Sequence, residues 1–117
     1  MIKLERKIHN ILFPQIEFNY KEFCKKRNIN LNNKSLNKKW LNVKCDVLSL
    51  WCHIYYNGDI FVTRDNNFYK VTKLKKLIVL GVGYILTPQQ AVIKIIDTIK
   101  LILVTFFIIF TLSFFEV

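Results

Sequence analysis

Acidic residues are scarce where basic ones are dense. Residues 1–44 hold only Glu5, Glu17 and Glu22 against 11 lysines and arginines, a net +8 of the +10 carried by the whole 117-residue chain. An excess that lopsided points to polyanionic partners, nucleic acid or an anionic membrane surface, because Lys and Arg displace counterions from phosphates. The competing explanation is a coding bias towards Lys, Asn and Ile that leaves the lysines solvated. Cysteine is also sparse. Cys24, Cys45 and Cys52 are odd in number and form no CxxC pair, which argues for reduced thiols in a cytosolic protein rather than a disulfide framework. Cys45, Cys52 and His53 match no zinc spacing. An apolar run at the N-terminus is missing as well, since Lys3, Glu5, Arg6 and Lys7 interrupt it, so no signal peptide is expected. No internal repeat is visible. Charge is absent altogether from Leu101 to Phe115, which inflates the 52% hydrophobic content of an otherwise ordinary basic domain.

Among the residues that are present, Leu4, Ile8, Ile11 and Leu12 share one helical face, and Pro14 stops that helix. Ile16, Tyr20, Phe23 and Cys24 predict a second helix over 15–26, with Lys25, Lys26 and Arg27 suited to its negative end. Residues 28–39 read as an Asn/Lys-rich surface loop. Leu41, Leu48, Trp51, Cys52 and Tyr55 then give the strongest amphipathic helix, 40–56, closed by Asn57-Gly58 and carrying Asp46 in its first turns. Ile60 to Thr63 reads as a buried parallel strand. A helix from Asn66 or Asn67 to Leu80 follows, with Phe68, Val71, Leu74 and Ile78 on one side and Gly81 ending it. Gly83 to Leu86 is a second strand, completing a βαβ unit. Thr87-Pro88-Gln89-Gln90 is a capping box that opens the last helix.

Asp65 lies just past the carboxyl end of the first strand, where α/β sheets place their chemistry, and Asp46 precedes it by 19 residues on the adjoining helix. Packing that helix antiparallel on its strand brings the two carboxylates together, an arrangement suited to a hard divalent cation.

Asp46-Val47-Leu48, His53, and Asp59-Ile60-Phe61-Val62-Thr63-Arg64-Asp65 followed by Phe68 resemble the C-terminal half of a PIN-like domain, a nuclease fold. Ile85-Leu86-Thr87-Pro88-Gln89-Gln90-Ala91 is similar to that family's last strand and helix, so the resemblance covers roughly 40–96. It implies a metal-dependent ribonuclease site holding Mg²⁺ or Mn²⁺ on Asp46 and Asp65. Thr63 would orient that site, and Arg64, Lys70 and Lys44 would meet RNA phosphates. The family's opening strand ending in Asp and its further helix acid have no counterpart here, although Glu5 or Glu17 is available to replace the latter. The implied protein is therefore a fragment, weakly active or inactive alone, whose missing first half is a natural partner.

The fold expected is α/β: a PIN-like fragment with a short parallel βαβ core flanked by helices and a long apolar C-terminal helix. Its divisions are a basic segment 1–39, a PIN-like part 40–96 and a tail 97–117. The fifteen uncharged residues from Leu101 to Phe115 fall just short of a bilayer span, and Ile99 with a snorkelling Lys100 extends them. With Lys94 and Lys100 before the tail and Glu116 after it, the basic part would stay cytoplasmic. The tail reads equally as a membrane anchor or as a core-buried or aberrant helix. The functional alternative to a nuclease is a small basic membrane-associated protein that binds nucleic acid or a partner without catalysis.

Overall fold

The computed structural model describes residues 1–115. Its elements run α1 (Ile2–Leu12), α2 (Tyr20–Lys26), α3 (Lys38–Tyr55), β1 (Ile60–Val62), a 3-10 turn (Asn66–Tyr69), α4 (Val71–Val79), β2 (Tyr84–Leu86) and α5 (Pro88–Phe115). The architecture is mixed helix and strand, with one pair of parallel strands and a long apolar C-terminal helix. The chain divides into two compact units, one of residues 1–61 and 65–85, the other of 62–64 and the segment from Leu86 on.

The first unit carries the core. Ile8 and Leu12 of α1 meet Val47, Leu50 and Ile54 of α3, and Phe68, Leu77, Val82 and Ile85 complete the cluster. α1 packs on both α3 and α4. Three helices end in the same way, on a residue in the left-handed region: Asn28 at φ 52°, Asn57 at φ 54° and Gly81 at φ 96°. After α4 the Val82 N–H returns to the Leu77 carbonyl, and after α3 the Gly58 N–H returns to that of His53 at 2.8 Å. These are Schellman closures, which satisfy carbonyls a helix end leaves open. The last carbonyl of α1, on Leu12, is met instead by side chains: Lys73 Nζ donates to it at 2.6 Å and Asn67 Nδ2 at 3.1 Å.

The strands are shorter and less buried than expected. Ile60 and Phe61 are half-buried and Val62 is exposed, because in a two-stranded sheet both strands are edges. Pairing begins with the Tyr84 N–H donating to the Asp59 carbonyl at 2.8 Å. Gly83 is required at that entry, since a Cβ there would run into the Asp59 carbonyl oxygen.

Several expectations need correction. α2 starts at Tyr20, not residue 15, because the Asn19 side chain accepts from the Lys21 N–H at 2.8 Å and caps the helix there. The 66–80 helix is two pieces, broken at Lys70, whose ψ of 123° is extended. α3 begins at Lys38 behind an Asn37 cap, so Asp46 sits mid-helix and gains nothing from the N-terminal dipole. The face of α3 that packs is Val43, Val47, Leu50 and Ile54, while Leu41, Leu48, Cys52 and Tyr55 point outward.

In the second unit, the Thr63 N–H donates to the Leu86 carbonyl at 3.0 Å. The expected capping box forms reciprocally: the Gln90 N–H donates to Thr87 Oγ1 at 3.2 Å and the Thr87 N–H to Gln90 Oε1 at 2.9 Å. α5 then runs unbroken for 28 residues, about 42 Å at 1.5 Å per residue. It is long and apolar enough to cross a membrane, with a mean hydropathy of 2.3 over its best window, none of which is buried. Thr98, Thr105, Thr111 and Ser113 each donate a hydroxyl to the carbonyl four residues earlier. No hydroxyl in that stretch therefore needs water.

Candidate functional site

Asp46 and Asp65 come within electrostatic reach of each other. Partial burial raises the Asp46 carboxyl above its ordinary range, and the Asp65 charge raises it further. Asp65 also has a structural duty: its Oδ1 accepts from the Asn67 N–H at 2.8 Å and caps the 3-10 turn. A cation enters the same neighbourhood. Lys73 is held below the usual lysine range by burial and by Lys70, with Asp65 pulling the other way, and its ammonium also donates to Asn67 Oδ1.

This donor set limits what a metal could find. Among the described residues, no three His, Cys, Asp or Glu side chains gather where they could share an ion. Mg²⁺ is commonly held by one or two carboxylates plus substrate phosphate. Two carboxylates fall short of a two-ion centre, and a single ion would need substrate phosphate to complete its shell.

The other residues singled out by the sequence have different local settings. Thr63 and Arg64 fall in the second unit, Thr63 partly buried and Arg64 exposed. Lys70 is exposed at the break before α4. Lys44 forms an ion pair with Glu5, which is only 6% exposed in the packed face of α1. Each charge is thus already answered by the other. Glu17 is equally committed, bridging Arg27 and Lys26 (2.9 Å to the latter), and these partners, Arg27 first, lower its pKa to about 2. His53 is a structural residue: its Nε2 accepts the Gly83 N–H at 3.1 Å, and burial lowers its pKa against an opposing pull from Asp59.

The basic surface is more open than the acid pair. Of the 11 lysines and arginines in residues 1–44, Lys26, Arg27 and Lys44 are ion-paired and the other eight form no ion pair among the described residues. One feature of this region escaped sequence reasoning: a cleft of about 360 Å³ bordered by Phe18, Tyr20 and Trp40, with Arg6, Lys44, Asn19 and Glu22 around it. Tyr20 and Trp40 had been legible only as helix positions, and nothing in their spacing joins residues so far apart. The chain matches no family model, no curated protein and no solved structure.

Proposed function

We propose that this is a membrane-anchored basic domain that binds RNA at the cytoplasmic face of a membrane without catalysing its cleavage. The observation that carries the reading is the set of eight cations in residues 1–44 with no ion pair among the described residues. Those lysines and arginines would displace counterions from RNA phosphates, giving an affinity insensitive to sequence and steeply dependent on salt. α5 supplies the anchor: its apolar window is unburied, its hydroxyls are satisfied within the helix, and Lys100 can snorkel at one end. The test is titration of the detergent-solubilised chain with single-stranded RNA over a range of salt. The expected plot of log K against log salt is linear, with a slope of about −0.7 for each phosphate neutralised. A flat plot, or no binding at low salt, sinks the reading.

A second reading is kept by the Asp46–Asp65 pair, the PIN-like nuclease fragment. If Asp46 and Asp65 held a divalent ion, it would polarise a phosphoryl oxygen of bound RNA. Asp46, biased towards its protonated form by burial and by Asp65, would have to lose its proton to serve. The acids that would complete such a site are not on hand, as Glu5 and Glu17 are tied into internal ion pairs. The expected result of an RNase assay in Mn²⁺ is barely any cleavage. Robust cleavage lost in both Asp46→Asn and Asp65→Asn would make this second reading the right one.

A further inference from the structure

We infer that the cleft bordered by Phe18, Tyr20 and Trp40 is a binding site for a nucleobase of single-stranded RNA, with the adjoining phosphate held by Arg6. This rests on the RNA-binding reading and supplies what a field of lysines lacks, a means of telling RNA from any other polyanion. The cleft, about 360 Å³, has room for one base and its sugar phosphate. Two of its three aromatic walls, Tyr20 and Trp40, are fixed at their polar ends. The Tyr20 hydroxyl accepts from the Asn37 N–H at 3.0 Å, and Trp40 Nε1 donates to the Glu17 carbonyl at 3.3 Å. With centroids 4.9 Å apart and planes 56° apart, the two rings brace one another while both stay partly exposed. Rings held this way are ready for stacking at little further entropic cost.

The charges around the rings favour a nucleotide over a bare phosphate. Lys44, 4.4 Å over the Phe18 ring and 5.6 Å over Trp40, is already answered by Glu5, whereas Arg6, 4.9 Å over the Phe18 ring, is exposed and without an ion pair among the described residues. That leaves one guanidinium for one phosphate. Glu22, also on the rim, would repel a bare anion but accepts amino hydrogens from a base edge. A phosphopeptide or lipid headgroup would engage Arg6, gain nothing from the exposed parts of the two rings, and meet that repulsion.

The experiment titrates the full chain in detergent with a short oligoribonucleotide, with its abasic counterpart of equal length, and with inorganic phosphate. The base-bearing strand should bind about tenfold more tightly than the abasic one, the range expected for one stacked base. Trp40→Leu and Tyr20→Leu should erase that difference while leaving affinity for the abasic strand unchanged, which also shows that the variants are folded. Trp40→Phe, which keeps a ring, should retain most of the preference, and Arg6→Gln should weaken both strands. Equal binding of the two strands by the unmodified chain overturns the base site and leaves the RNA-binding reading standing. Absence of binding to either overturns both. Inorganic phosphate that binds as tightly as the base-bearing strand, read by competition, overturns the base site in favour of a simple anion site.

Discussion

Two carboxylates in this chain have been pushed in opposite directions, and their substitutions should behave oppositely with pH. Glu17 is 12% exposed and held by Arg27 and Lys26, which lower its pKa from 4.5 to about 2. A folded-state pKa below the unfolded one means stability fully present above about 4.5 and lost as pH falls towards 2. Glu17→Gln should therefore lower the melting temperature at pH 7, and the gap to the unmodified chain should close over that window. Asp46 has the reverse sign, since burial and then Asp65 raise it. The unfolded chain ionises first as pH rises past the ordinary carboxylate value of 3.8, so the fold loses stability as pH climbs. Asp46→Asn should raise the melting temperature at neutral pH and leave it unchanged below that value. Thermal scans by circular dichroism from acid to neutral pH read both, and a destabilised Asp46→Asn at pH 7 would show that its charge is stabilised by a partner.

At the scale of elements, what could be read in the sequence was local chemistry, and what could not was tertiary choice. The ends at Asn57 and Gly81 and the Thr87–Gln90 box were legible because a residue able to take positive φ, or a hydroxyl three before an amide, acts within one turn of chain. The packed face of α3 was not. Val43, Val47, Leu50 and Ile54 have the same three-and-four spacing as Leu41, Leu48, Cys52 and Tyr55 on the other side. Periodicity cannot say which face α1 will cover. Asp65 as the cap of the 3-10 turn was missed for a related reason: Asn66 and Asn67 are equally good caps, and the choice fell to Phe68, which must reach the core. In the candidate site, the argument that set Asp46 beside Asp65 had Asp46 opening its helix, whereas the structure puts it mid-helix, and the engagement of Lys44 with Glu5 and of His53 with Gly83 joins residues 39 and 30 apart. Such pairings arise only when the elements pack. Cleft walls drawn from α2 and the start of α3 are hidden from a sequence in the same way.

For the whole molecule the question is what α5 contributes to stability, and the core answers it. Among the described residues, every member of the central cluster lies between Ile8 and Ile85, and every half-buried apolar side chain packed against it lies between Leu4 and Leu80. By contrast, Leu101 to Phe110 are all exposed, with Phe106 at 70% and Phe107 at 69%. Exposed apolar surface on that scale has no favourable outcome in water except association or insertion into lipid. Removing residues 98–117 should therefore leave the fold nearly untouched while ending its affinity for membranes. The expected melting temperature of the shortened chain is within about 2 °C of the full chain in detergent, since no core contact worth a kcal/mol is lost. Flotation with liposomes should recover the full chain in the lipid fraction and the shortened chain in the aqueous one, at salt high enough to screen the lysines. A large fall in melting temperature, with both chains remaining aqueous, would identify α5 as part of a buried helical interface and would remove the anchor from the proposed function.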